Sequence, residues 1–376
     1  MLNPKNSTKQ ATELVLGLLR AGLSNPPIVP NSLRGAFKEA LDMASAHQIA
    51  PALCSGLRHL ANKDSAWSDL VPFVQLIETQ NRLRNEKIET SAIKIAALFR
   101  SADISCVFLK GTAMVLESKN YAPWRLVTDL DILVPPDCIG RAVSSLLQHG
   151  YHQRADYAGF EEGIHHHYPA LSDDESNTLV ELHVRLMQDQ SGNPLQTVDI
   201  FQRATPLKRN AQIFLVPCPE HRMIHLIAHA QLSNWGFVLR QITLKDVVDA
   251  LKLNARNEID WEVVRKAFIE ICAEKELMGF LYAARLLLGL SSPFPEADLT
   301  KGKDWAERAV EALYAPSGKL QTFLRIISHY VTLFSRDPHR IRILAKTLKD
   351  PARLKHLLTV NRERLRVPGQ RKDFIN

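Results

Sequence analysis

The sequence predicts an α/β unit set between two helical regions, and three observations carry that reading. Up to about residue 100, apolar positions recur at helical spacing; over 104–216, short strand-forming runs alternate with helical ones; from Pro219 onward helical periodicity returns. The class is therefore α+β. Its expected parts are an N-terminal helical region at 1–100, an α/β core at 101–218, a C-terminal helical domain at 219–335 and a basic helical tail at 336–376. A chain of 376 residues is too long for one simple core, and 45% hydrophobic residues suffice for packed units.

Each element has a local reason. Residues 13–23 carry a helical apolar face, ended by Pro26, Pro27 and Pro30. Asn31 or Ser32 is placed to cap a second helix, which runs toward His47; Pro51 stands near the start of a third, which ends before Asp64. A long helix is expected over 73–100. Residues 104–109, 129–134, 179–186 and 213–216 read as strands. Lys110-Gly111-Thr112 punctuates the first strand and precedes a helix at 113–119; a helix at 139–149 ends on Gly150. Beyond 219, helices are broken at Pro293, Pro295, Pro316, Pro338 and Pro351.

Composition excludes several classes. No apolar run reaches the length of about eighteen residues that a spanning helix needs, and the polar start lacks a signal-peptide pattern. The five cysteines are odd in number, widely spaced and without a CxxC pair, so they are expected to be reduced in a cytoplasmic protein. The net charge of +7 is concentrated. Residues 336–376 hold 12 Lys/Arg against 4 Asp/Glu, which leaves the rest of the chain near neutral. That tail could grip RNA or an anionic membrane face, but Phe374 is its only aromatic residue, so a solvated helical face is the favoured reading and nucleic acid is not.

The chemistry is concentrated in the strands. Asp129 and Asp131, two apart on a strand, project to one face, with Leu130 and Ile132 on the other. Two ionised carboxylates so close repel each other unless a cation joins them. Hard oxygen ligands favour Mg²⁺ or Mn²⁺. Glu181 and His183 repeat the spacing on a later strand, and Glu181 can bring a third carboxylate to the same pocket. Lys110, Gly111 and Thr112, at a turn into a helix, offer a cation, close backbone approach and a helix N-terminus to a phosphate. The combination is equipment for phosphoryl or nucleotidyl transfer.

Leu109-Lys-Gly111, Arg125, Asp129-Leu-Asp-Ile-Leu-Val134, Gly150-Tyr151 and Val180-Glu-Leu-His183 resemble the uncharacterised nucleotidyltransferase family proteins of the polymerase-β-type superfamily. The likeness is strongest over 104–185, weaker over 44–60 and from His221 through Asp246 to Trp261. It implies a polymerase-β-like core and Mg²⁺-dependent transfer of a nucleoside monophosphate from an NTP, with pyrophosphate leaving. By the same resemblance Asp129, Asp131 and Glu181 would be catalytic and hold the metals, while Gly111 and Thr112 fill the places of the superfamily's Gly-Ser pair. The departures are Lys110-Gly111-Thr112 for Gly-Ser and Val184 where Trp often follows the histidine. The acceptor stays open among a small molecule, a peptide, a protein or an RNA end. The rival classes are an RNA-modifying nucleotidyltransferase toxin and a non-catalytic nucleotide-binding regulator.

The remaining candidates carry two readings each. Arg125 is either a guanidinium fork on nucleotide phosphates or a salt bridge to the carboxylate cluster. His183 belongs beside the site on the nucleotide side. His165, His166 and His167 read as an exposed stretch or a loop at the substrate mouth, with His167 a candidate for acceptor recognition. His221, His225 and His229 form a four-residue stripe that lacks the Glu of a zinc signature and is expected to pack against the α/β unit. His229, Arg240, Lys245 and Asp246 could close the pocket from the helical side and recognise the acceptor.

Overall fold

The computed structural model describes residues 4–22, 29–153, 166–176, 178–187, 192–210, 212–255, 259–315, 321–322 and 324–326. The expected tail at 336–376 and His165 lie outside the described residues.

The N-terminal helices form where expected. Pro4–Ala21 buries Leu14, Val15, Leu18 and Leu19 against Ala50–Lys63. That crossing is close because Gly56 has no side chain: a Cβ there would lie 1.9 Å from the Leu18 carbonyl oxygen. Residues Asn31–Ala36 are a 3₁₀ turn after Pro30, and the helix proper is Phe37–Ala46. Asn31 does not cap it, because its side chain donates to Asp64 (2.7 Å) and accepts from the Trp67 indole N–H (2.8 Å). The long helix Val71–Ser101 joins two cores. Val74 and Ile88 pack among the helices, while Ala92, Ile95, Ala96 and Phe99 cover the sheet.

The central sheet has five strands: β1 (Val107–Phe108), β2 (Asp129–Leu133), β3 (Tyr151–Gln153), β4 (Leu171–Asp173) and β5 (Leu179–His183). Their spatial order is β1-β2-β5-β4-β3. Only β2 and β5 run parallel, and they pair in a register that sets Asp129 opposite Leu179, Asp131 opposite Glu181 and Leu133 opposite His183. The fourth expected strand, Gln212–Val216, lies outside this sheet and forms a ribbon with Thr205–Arg209. Phe214 from the ribbon meets Phe108 edge to face, with ring centroids 5.3 Å apart.

The later helices return to the first. The Thr12 hydroxyl donates to the Leu313 carbonyl (3.1 Å) and Arg20 Nε to that of Leu287 (2.8 Å). Helices Pro4–Ala21, Glu274–Leu288 and Lys303–Tyr314 therefore share one apolar core, which sits beside the sheet core. Among the described residues no helix is long and apolar enough to cross a membrane.

Candidate active site

The site is built on the β2–β5 pair. Alternation sends Leu130 and Ile132 into the core, fully buried with Val180 and Leu182, and turns Asp129, Asp131, Glu181 and His183 to the other face. Because Asp131 pairs with Glu181, these two carboxylates stand level. His183 is two residues further along, yet its Nε2 lies 2.8 Å from Asp131 Oδ1 and 3.6 Å from Glu181 Oε2. Asp131, Glu181 and His183 form a candidate metal-coordinating triad, with ligand atoms all within 4.8 Å of one another. Asp129 stands one step back on the same face, partly exposed.

Lys110 enters from the opposite side. β1 leads through Leu109, whose N–H donates to the Asp131 carbonyl (3.0 Å), directly into the helix Lys110–Glu117. The left-handed turn falls on Lys110 itself, at φ +45°, and not on Gly111. Gly111 has another duty: a Cβ there would meet Val127 Cγ2 at 3.0 Å, so the helix start packs close against Val127. The Lys110 ammonium lies 2.8 Å from Asp131 Oδ1.

Electrostatics follow from this packing. Burial alone would raise the Asp131 carboxyl, but Lys110 and His183 outweigh it and hold Asp131 well below the usual carboxylate range. Asp129, half-buried and largely desolvated beside Asp131, with no such partner at bonding distance, is pushed up to about 6. Burial opposes the Lys110 charge, yet Asp131, Glu181 and Asp129 together raise it above the ordinary lysine value.

Histidines crowd the same pocket. His167 bridges His183 as an isolated antiparallel pair, with Tyr168 N–H donating to Leu182 O and Val184 N–H to His166 O. The rings of His166 and His167 lie 5.6 and 5.4 Å from that of His183. These two are half-buried against the site, which corrects the expected exposed stretch: backbone pairing to the end of β5 pulls them in. The four-residue stripe divides. His221 faces Arg203 and Glu220, whereas His225 and His229 feel the charges of Lys110 and Asp131. Residues four apart on a helix drift by about 40° per step. In addition, His229–Ser233 is a π-helical turn.

Residues 35–289, more than half of the chain, match the model of a family described as Uncharacterised nucleotidyltransferase. The chain belongs to that family. No curated protein and no solved structure matches it. The mixed α/β architecture, a central sheet with flanking helices, is that of the polymerase-β-like nucleotidyltransferases. Membership, together with the Asp131–Glu181–His183 triad, supports nucleotidyltransferase-type catalysis in general.

Several candidates take places other than those expected. Thr112 is fully buried, and its hydroxyl oxygen accepts the Asp131 N–H (3.2 Å). It braces the Asp strand and is not presented to a phosphate. Arg125 serves neither expected reading. Its Nε donates to Asp249 (2.8 Å), inside the protein, while Asn85 fixes its carbonyl (2.9 Å). The pair ties the loop before β2 to the helix Leu244–Asn254. Asp246, on that same helix, is buried beside Asp249 and Arg125, and burial raises its carboxyl. Lys245 donates to Gln48 (3.2 Å), and its charge acts on Asp129. Arg240 lies elsewhere, where its charge acts on Arg325. Asp249 was not singled out from sequence. A signal existed: Asp246 and Asp249 are three apart, on one face of their helix among Val247, Val248 and Ala250.

Arg125→Met leaves Asp249 buried without its counter-charge and should cost about 3–5 kcal/mol in a urea titration. An unchanged midpoint would refute the tie. His225 is 5% exposed and burial depresses its imidazole to about 3. The unfolded chain, with an ordinary value near 6.5, takes up the proton first, so this contribution is complete above pH 6.5 and fades as pH falls. By pH 5 the loss should be about 2 kcal/mol. His225→Asn should flatten that part of the stability–pH profile; an equally steep profile would count against the assignment.

Proposed function

We propose that the protein is a Mg²⁺- or Mn²⁺-dependent nucleotidyltransferase that moves a nucleoside monophosphate from an NTP to a hydroxyl or phosphate acceptor on a small molecule, peptide or protein. The single observation that carries this reading is the parallel register that sets Asp131 level with Glu181, with Asp129 beside them. The donor set suits such a cation: carboxylate oxygens dominate, and a single imidazole completes the triad. Asp129, Asp131 and Glu181 would hold it. When bound, it would supply charge neutralisation to the phosphates and lower the pKa of a coordinated oxygen nucleophile.

The chain's own groups account for the rest. The acceptor oxygen bonds to the α-phosphorus, the bond to the β-phosphate oxygen breaks, and pyrophosphate carries off that electron pair. Glu181, partly open to solvent, is placed to orient the acceptor hydroxyl and take its proton. Lys110, with the backbone at Gly111, faces the β- and γ-phosphates. Thr112 supports Asp131 from behind. His183 holds the Asp131 carboxylate through Nε2 on the nucleotide side of the site. His167, His229 and Lys245 are the candidates for recognising the acceptor: His167 pairs with His183, His229 feels the Lys110 charge, and the Lys245 charge reaches Asp129. The five cysteines are all free, which supports a reducing, cytoplasmic setting.

The test is direct. Each NTP, labelled at the α-phosphate, is incubated with the protein, Mg²⁺ or Mn²⁺ and a cell extract. Label should move to one acceptor class with release of unlabelled pyrophosphate. Label transferred chiefly to RNA ends would favour the RNA-modifying alternative. Nucleotide binding without any transfer, under all four NTPs, would favour the regulatory one.

A further inference from the structure

We propose that Lys110 is an internal counter-ion of the acidic site, displaced when a divalent cation and a nucleotide enter together, so that the two bind cooperatively. The inference rests on the nucleotidyltransferase reading of the same site and adds to it a reason why neither ligand binds well alone.

Asp131 is 2% exposed and could not stay ionised there without positive charge nearby. The Lys110 ammonium supplies it at 2.8 Å, and it also feels Glu181 and Asp129. It thus stands among the three carboxylates that would hold a divalent cation. Asp131 Oδ1 is taken twice over, since His183 Nε2 lies on the same oxygen at 2.8 Å. An ammonium and a divalent cation cannot both sit there, because like charges at such range repel strongly in a poorly solvated site.

The lysine is also built to leave. Its side chain is 26% exposed, so part of the lysine reaches solvent. A four-carbon stem swings on side-chain rotations alone and needs no backbone movement. The backbone, by contrast, is set: Lys110 holds a left-handed φ of +45°, an uncommon conformation for a side-chain-bearing residue, at the first residue of its helix. This conformation delivers the side chain to Asp131. Phosphates arriving at the same helix start can receive the released ammonium. A cation alone must expel Lys110 into water, and a nucleotide alone must draw it off Asp131. Arriving together, each removes the other's cost, and linkage makes the effect reciprocal.

The experiment titrates the full chain with Mn²⁺ by electron paramagnetic resonance, first without nucleotide and then with an α,β-methylene NTP analogue, corrected for Mn²⁺ held by free analogue. Wild-type protein should bind Mn²⁺ weakly alone and on the order of tenfold tighter with the analogue. Lys110→Met and Lys110→Gln, the second of which keeps a donor for Asp131, should bind Mn²⁺ alone on the order of tenfold tighter than wild type and lose the coupling. Lys110→Arg should behave as wild type does. Unchanged or weaker Mn²⁺ binding by natively folded Met and Gln variants overturns the counter-ion. So does a wild-type protein that binds both ligands without coupling, which needs no variant. A wild-type protein that binds neither ligand instead refutes the nucleotidyltransferase reading beneath it.

Discussion

Asp131→Asn is expected to abolish Mn²⁺ binding and nucleotidyl transfer and, in the same variant, to destabilise the fold by about 3 kcal/mol or more. The first effect follows because Asp131 is at once level with Glu181, bonded to Lys110 and bonded to His183. The second effect comes from what is left behind. A neutral amide cannot balance the buried charge of the Lys110 ammonium, and the His183 ring beside it is fully buried. Asp129→Asn should do the opposite to stability. The Asp129 carboxyl is raised to about 6 by burial and then by Asp131. Its ionisation therefore penalises the folded state as pH rises from the unfolded value near 3.8 through about 6. At pH 7 the asparagine variant should be more stable than wild type by up to about 3 kcal/mol, and below pH 4 the difference should fade away. Urea titrations at both pH values, with Mn²⁺ titrations beside them, decide the matter. An Asp131→Asn protein of wild-type stability that still binds Mn²⁺ would remove Asp131 from the centre of the site.

That contrast between two neighbouring aspartates marks the limit of what the sequence revealed. Asp129-Leu-Asp131 was legible because alternation forces two charges onto one face of a strand whose other face is purely apolar. Its strand and β5 appeared where expected, as did the long helix. β3 and β4 were not legible. Tyr151-His-Gln153 buries only its first residue, and Leu171-Ser-Asp173 is fully buried though two of its three side chains are polar, so neither shows a strand pattern. Nor does one sequence fix which residues of separate strands stand opposite each other. The level pairing of Asp131 with Glu181, and the unequal partners of the two aspartates, exist only once β2 and β5 are side by side. Arg125 shows the same limit. A cation four residues from an acidic pair invites a local pairing, while its real partner, Asp249, is distant in sequence and arrives on a helix of the C-terminal region.

Glu181→Gln should bind Mg·NTP within several-fold of wild type yet lose on the order of a hundredfold or more in transfer rate. Glu181 and His183 share one strand face, and both reach toward Asp131, but they differ in what they can offer. His183 is fully buried, and its Nε2 is engaged with Asp131. That leaves it a positioning group, with Nδ1 buried and unpartnered among the described residues. The Glu181 side chain retains about a fifth of its surface exposed and is placed to meet an incoming hydroxyl. Burial would raise its carboxyl, yet the His183 bond and Lys110 keep it below the ordinary value, so it is ionised at neutral pH and able to orient a proton donor. An interaction made mainly as the acceptor oxygen attacks appears in turnover and hardly in ground-state affinity. His183→Asn, which keeps a side-chain donor near Asp131, should be milder in rate and should lower Mn²⁺ affinity and turnover together. The comparison needs only the labelled-NTP assay and one transferable acceptor. A Glu181→Gln enzyme that turns over normally, beside an inactive but folded His183→Asn enzyme, would reverse the two roles and shift the chemistry to the imidazole.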